Sequence, residues 1–397
     1  MDKPIDIRRR NLLLSSAGAA AAAGLSTISA DALAQPKPKP LPRYAEWKYV
    51  DSMIVHSSNT IETKRSAFGT SVIVPTGILF VRNNLTPPDT SLEADPDSWE
   101  VSIEGVNNPR KITVGELKRI GVSTVASVIQ CSGNGRGFFK HKASGTQWKV
   151  GAAGCVMWSG VPVAAVAKAL GGVASGAKFI TGTGGERLPA GVDPKTVVVE
   201  RSVPMRALDH AMLVWEINGE ALPVAHGGPL RFVIPGYYGV NNVKYVSRLA
   251  FAEKETNANI QASGYRMRAI GQKGLPSQPS MYEMTVKSWI NHPEGNLSAG
   301  MVQINGVAFA GVNSVTRVEV SVDGGKRWQT AQFVGPDLGR YAWRQFVLST
   351  RLDSGSYTLV SRATDSAGNT QPPEREENHR GYGHNGWRDH GLKLSIA

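Results

Sequence analysis

Cysteine is scarce in this chain of 397 residues: there are two, Cys131 and Cys155. Two thiols cannot form the four-cysteine array of an iron–sulfur cluster, and neither sits in the Cys-x-x-Cys-His pattern that attaches a haem. No fused haem or flavin segment is discernible either. Also missing are a long basic run and a recognisable DNA- or RNA-binding module. The formal charge of +12 is scattered, which favours an anionic substrate or an acidic protein partner over nucleic acid. Long apolar runs are lacking too. The N-terminal one is too short and alanine-rich to anchor well, and no membrane span is expected in the mature chain. What is present is ordinary globular material, 41% hydrophobic and 19% charged. The length exceeds the roughly 100–200 residues usual for one domain, so two domains are expected.

The N-terminus reads as an export signal. Arg8-Arg9-Arg10 precedes Leu12-Leu13-Leu14 and an alanine-rich stretch that reaches the small-x-small site Ala32-Leu33-Ala34. It resembles a twin-arginine signal over residues 1–34, which implies a periplasmic protein exported folded and cleaved near Ala34. Gln35 to Arg43, rich in Pro and Lys, reads as an extended linker.

The residue placed for chemistry is Cys131. The apolar run Val125 to Ile129 predicts a buried strand, which runs into the turn Ser132-Gly133-Asn134-Gly135-Arg136-Gly137. A sulfur at the tip of a strand is held in one place. The glycines allow close backbone approach to a ligand, Arg136 adds a fixed positive charge, and a thiolate there is the form that binds soft metals. A buried, inert cysteine before a loop fits the residue types equally well. Cys155 lies in the apolar stretch 151–158 and reads as a packed thiol. If Cys131 ligates a metal it cannot also be bridged, so no disulfide is expected.

Other segments read as scaffold or as donor-bearing loops. Thr76 to Asn84 predicts a short strand ending at Arg82. Trp99, Val101 and Ile103 alternate as in a strand, and Thr113 with Glu116 forms a helix-start signature. Val163, Val166, Ala167 and Leu170 take helical spacing and stop at Gly171-Gly172. Gly182 to Gly185 is a glycine cluster, a weak phosphate-binding signal. From Asn218 to Lys244 turn residues alternate with short apolar runs, bringing His226, Arg231 and Lys244 to loop positions as donors. Pro276 and Pro279 mark a boundary. Beyond it, Val318, Val320 and Val322 alternate with polar residues before Asp323-Gly324-Gly325, and regular short strands predict a sandwich.

Several of these blocks resemble the sulfite oxidase family of molybdopterin enzymes. Gln130-Cys131-Ser132-Gly133-Asn134-x-Arg136-Gly137 is similar to the family's molybdenum-ligating cysteine motif. Phe80-Val81-Arg82-Asn83-Asn84 is similar to its Phe-x-Arg-Asn-His element, with Asn84 where a histidine is usual, which puts any histidine-linked pH behaviour in question. Asn218 to Lys244 is similar to its cofactor element, with His226, Arg231, Asn242, Val243 and Lys244 in matching places, and Glu186 stands about where the family has Asp. The pattern is nearest to the bacterial periplasmic sulfite dehydrogenases.

The resemblance implies an α+β chain with two parts: a mixed α/β molybdopterin domain over residues 35–275, then an all-β immunoglobulin-like dimerisation domain over 276–397. It implies one Mo-molybdopterin per chain, with no haem or flavin, and Cys131 as the metal ligand. It implies an anion cage of Arg82, Arg136 and Arg380, with Tyr265 near the metal and Trp148 in the substrate pocket. The implied function is oxidation of sulfite with a periplasmic c-type cytochrome as acceptor, in a homodimer. Two alternatives stay open: oxidation of another sulfur compound such as sulfane sulfur, and a non-enzymatic exported protein that binds an anion.

Overall fold

A computed structural model describes residues 39–397; the export signal and its cleavage site lie outside the described residues. The predicted strand before Cys131 is Ser123–Gln130, the edge strand of an antiparallel sheet, and its apolar run is continuous because residues 126–130 are all buried, on both faces of the strand. It pairs with Ala153–Pro162, placing Val128 opposite Cys155. That sheet continues through Met212–Ile217 to Glu220–Ala221, with Arg231–Val233 also on Met212–Ile217. A second sheet runs in the order Arg110–Thr113, Glu100–Glu104, Val246–Ala252, Phe179–Gly184, Glu200–Pro204, its one parallel pair joining Glu100–Glu104 to Val246–Ala252.

Two helices pack between these sheets. Helix α1, Val114–Ile120, starts in the full capping box: Glu116 N donates to Thr113 Oγ1 at 3.1 Å and Thr113 N donates to Glu116 Oε2 at 2.8 Å. Helix α2, Val163–Ala169, stops at Leu170 before Gly171 and Gly172, both at positive φ. Its predicted apolar face, Val163, Val166, Ala167 and Leu170, is buried with Leu117 and Phe232 in one core.

From Lys287 onward the regular elements are strands, with a long irregular tail over residues 366–391 that includes the 3₁₀ turn Arg388–His390; the strands form two sheets ordered Lys287–His292, Gly300–Phe309, Arg344–Leu352, Gln332–Val334 and Asn296–Leu297, Leu392–Ile396, Gly355–Asp365, Val315–Ser321, Gln329–Thr330. Val318 and Val320 point into the core between them, with Ile304, Phe346 and Leu359. The fold is the expected one, a mixed α/β part followed by a β-sandwich. The parts interlock: Arg65 donates to the carbonyls of Ile290 and His390 at 2.7 and 2.6 Å, and Trp343 Nε1 donates to Val72 O at 2.6 Å. Residues 39–397 form one unit.

Two local expectations need correction. Thr76 to Asn84 is not one strand; a 3₁₀ turn at Thr76–Ile78 follows Pro75, and only Val81–Arg82 pairs, with Thr60–Ile61. Its apolar residues Ile78 to Val81 are buried by the surrounding core, so hydrophobicity there signals burial without a ladder. Gly182 is no phosphate cradle either. It lies within the strand Phe179–Gly184, where a Cβ would come within 2.8 Å of the Phe232 ring, so the missing side chain makes room for that ring.

Candidate active site

Cys131 is the first residue past its strand, and its N–H still donates to Ala152 O at 2.9 Å. The turn that follows is closed by Asn134 N to Cys131 O at 2.9 Å and Arg136 N to Gly133 O at 2.8 Å. Its glycines serve packing. Gly135 has φ +98°, and a Cβ there would stand 2.5 Å from the His384 ring; a Cβ on Gly133 would strike the Arg136 guanidinium. Asn134 pins the turn from inside, donating to Gln130 Oε1 at 3.1 Å and accepting from Ala152 N at 3.1 Å.

Beside Cys131 opens a cavity of about 710 Å³, its solvent-open mouth included. Twelve of the expected residues line it: Phe80, Arg82, Asn83, Asn84, Cys131, Glu186, His226, Arg231, Asn242, Val243, Lys244 and Tyr265. Lys244 donates to Asn83 Oδ1 at 2.6 Å and Ala225 O at 2.7 Å. Arg231 donates to His226 O at 2.8 Å and Asn242 O at 3.2 Å. Arg82 donates to Asn84 Oδ1 at 2.5 Å, so Asn84 fixes the arginine at the exposed edge.

The electrostatics are one-sided. Among the described residues no carboxylate forms an ion pair with Arg82, Arg231 or Lys244. Burial drives the Lys244 ammonium well below its ordinary range and Arg231 down to about 10. The one carboxyl in the cavity, Glu186, is pushed up to about 7 by burial, and its Oε2 has no partner; Ser132 Oγ is likewise buried and unpartnered. Such a site asks for an anion that also carries hydrogen-bond donors.

Four expected residues do not line the cavity. Val81 is wholly buried in its strand. Trp148 is wholly buried too, packed edge-on against Phe80 and His56 with ring centroids 6.4 and 5.2 Å away; it is a core residue, not a pocket wall. Arg136 stands behind the cysteine turn, donating to Arg380 O at 2.8 Å and Thr146 O at 3.0 Å. It and Arg380 flank the Tyr382 ring at 5.2 and 5.9 Å, and Tyr382 stacks on Tyr265 at 4.9 Å. Of the expected arginine cage, Arg82 alone reaches the cavity, because Tyr382 and Tyr265 stand between it and the other two. Sequence reasoning missed Lys48, buried behind His226, and Arg201, buried beside Tyr265 at 5.8 Å. Neither has a local signal, since their partners lie far along the chain.

Two family descriptions match. Residues 88–260 match the oxidoreductase molybdopterin binding domain and residues 278–394 the Mo-co oxidoreductase dimerisation domain, which places the chain among two-domain molybdopterin oxidoreductases. The chain belongs to the sulfite oxidase family of these enzymes. It is 28% identical to the mitochondrial sulfite oxidase of Homo sapiens over 354 residues, covering 82% of this chain and 63% of that protein's length. It is 26% identical to the sulfite oxidase of Arabidopsis thaliana, covering 84% of this chain and 91% of that one. Among solved structures it is similar to the sulfane dehydrogenase SoxCD from Paracoccus pantotrophus, with a TM-score of 0.72 and 26% identity over all of both chains.

The cavity fits the family's cofactor. Among the described residues no three His, Cys, Asp or Glu side chains converge on a metal-sized site, so a metal at Cys131 must bring its other donors with it. Molybdopterin does so through its dithiolene. Its phosphate suits the unpaired cations, and its pterin N–H groups suit Glu186.

Proposed function

We propose that the chain oxidises sulfite to sulfate in the periplasm and passes the electrons to a c-type cytochrome, working as a homodimer through its C-terminal sandwich. The observation that carries this reading is Cys131 at the edge of a cavity whose buried cations have no carboxylate partners. Balanced, SO₃²⁻ and H₂O give SO₄²⁻, two protons and two electrons. When bound, Mo-molybdopterin supplies the two-electron oxygen-atom transfer. Cys131 would ligate its metal, while His226, Arg231, Lys244, Asn242 and Glu186 would hold the organic part.

The chain supplies position and charge. Arg82, fixed by Asn84 at the rim, offers a dianion its guanidinium. Leu79, Phe80 and Ile129 keep one wall dry, which strengthens that attraction. Tyr265 places a phenol on the cavity wall, where its hydroxyl can donate a hydrogen bond to the substrate anion. Arg136 and Arg380 act one ring further out, through Tyr382 stacked on Tyr265. The net charge of +12 favours approach of an acidic acceptor.

A second reading, oxidation of sulfane sulfur, is favoured by the similarity to SoxCD over the full length of both chains. Metal analysis of the purified protein, coupled to sulfite-dependent cytochrome c reduction on the same sample, separates the possibilities. About one molybdenum per chain with sulfite-dependent reduction is expected. Molybdenum without sulfite turnover would move the substrate to sulfane sulfur, and a folded protein free of molybdenum would leave an anion-binding protein.

A further inference from the structure

Lys48 lies ahead of both matched domain segments, in a short stretch between two 3₁₀ turns, Arg43–Ala45 and Val50–Ser52. It is buried, yet it has no carboxylate partner among the described residues. Its Nζ has three hydrogen-bond partners, Thr76 O at 2.7 Å, Leu79 O at 2.8 Å and His226 Nε2 at 2.9 Å. Burial lowers Lys48 to about 7, so below that pH it is an ammonium with three N–H groups and no lone pair, and the tripod then uses every donor it owns. We propose that Lys48 is a positioning residue of the cofactor cavity: its ammonium holds His226 as the Nδ1–H tautomer, so that the imidazole offers the bound cofactor a donor.

Two features of the contact favour this role, given the reading of the cavity as a molybdopterin site. First, a nitrogen that faces an ammonium at 2.9 Å must accept, and in a neutral imidazole the other nitrogen then carries the hydrogen. The ring is neutral: burial, with Lys48, Lys244 and Arg231 close by, drives His226 well below its ordinary range. Second, His226 lines the cavity, and with Nε2 taken by Lys48 the nitrogen left for a ligand is Nδ1. The Trp47 ring meets the imidazole edge-on at 6.1 Å and walls its outer side. A donor at that point suits an anionic ligand, whereas an acceptor would repel it. An anion in the cavity in turn stabilises the ammonium that sets the tautomer, so ligand and lysine support each other.

The test is nitrogen-15 NMR of histidine-labelled protein at pH 6, where Lys48 is charged, with and without cofactor, in the wild type, Lys48→Met, His226→Asn and the double variant, alongside the molybdopterin content of each. The His226 signals, assigned by their loss in His226→Asn, are expected to show the Nδ1–H pattern in the wild type and to lose it in Lys48→Met. Cofactor retention should fall about tenfold or more in Lys48→Met. An asparagine amide nitrogen stands near the imidazole Nδ1 position without needing Lys48, so the same lysine change should cost clearly less in the His226→Asn background. An Nε2–H pattern in wild-type protein, or an unchanged tautomer in Lys48→Met, overturns the proposal. If Lys48→Met does not fold, the wild-type pattern still decides. Wild-type protein that holds no molybdopterin would remove the cofactor reading, while the same spectrum would separately settle the tautomer.

Discussion

At the scale of single residues, Cys131 and the cavity cations separate metal binding from substrate binding. Replacing Cys131 by Ser exchanges a soft ligand for a hard one of similar size. Turnover of sulfite should fall by more than about 100-fold while the fold persists, since loss of even an outer-shell partner costs tenfold to a hundredfold. Full turnover in metal-loaded Cys131→Ser would sink the assignment. The arginines divide by position. Arg82→Gln removes the cation at the rim and should raise KM for sulfite about tenfold, the loss of one charge-assisted hydrogen bond. Arg136→Gln instead leaves the carbonyls of Arg380 and Thr146 without their donor, so it should lower thermal stability and leave KM less affected than Arg82→Gln does. Equal KM effects would contradict the placement of Arg136 behind Tyr382. From sequence alone both arginines belonged to one cage. Arg82 was legible because it ends a short apolar run, but nothing local tells that a tyrosine from residue 382 lies in front of Arg136. Lys48 was invisible for the same reason: its acceptors sit at residues 76, 79 and 226, and a lysine between two aromatic residues looks like surface.

At the scale of elements, the cysteine turn and the C-terminal tail are built against each other. Gly383 N donates to Ser132 O at 2.9 Å, and His384 fills the space that a side chain on Gly135 would occupy. Gly135→Ala therefore combines a clash with a left-handed backbone, which alone costs roughly 1–2 kcal/mol. It should lower both the unfolding midpoint and kcat, because the clash moves the turn that carries Cys131. Thr113→Ala is the control. It removes the α1 cap for about 1 kcal/mol of stability and should leave sulfite kinetics unchanged. Comparing denaturation curves with kcat for the two variants checks the assignment, and kinetics that shift equally in both would break it. Element signals of short range were legible: the α1 capping box, the α2 face with its glycine stop, and the alternation at Val318 and Val320. Thr76 to Asn84 was misread because burial from all sides produces the same apolar run as a strand. The π-helical turn Ile260–Gly264 that delivers Tyr265 had no sequence signal, since its extra residue per turn is imposed by packing.

At the scale of the whole molecule, two buried ionisable groups shape how stability depends on pH, with opposite sign. In cofactor-free protein Glu186 titrates at about 7, against 4.5 for an ordinary glutamate, because burial disfavours its anion. A raised acid favours the folded state most when protonated, so its contribution is complete below pH 4.5 and is lost as pH rises to about 7. Lys287, wholly buried and donating to Asn134 O at 3.2 Å, is lowered from 10.5 to about 7 by burial. Between pH 7 and 10.5 the unfolded chain binds more protons at this lysine than the folded one, so its contribution rises with pH across that window. Other groups titrate in the same ranges, His384 at about 4 among them, so differences against variants isolate each term. The stability of the wild type minus that of Glu186→Gln should decline from pH 4.5 to 7 and stay level above. The wild type minus Lys287→Met should be level below 7 and climb toward 10.5. Urea denaturation of the three proteins across pH 4.5–10 measures both differences. A level Glu186 difference would mean that its carboxyl meets water or a cation in the folded protein, and the cavity would then have no neutral carboxyl waiting for a donor.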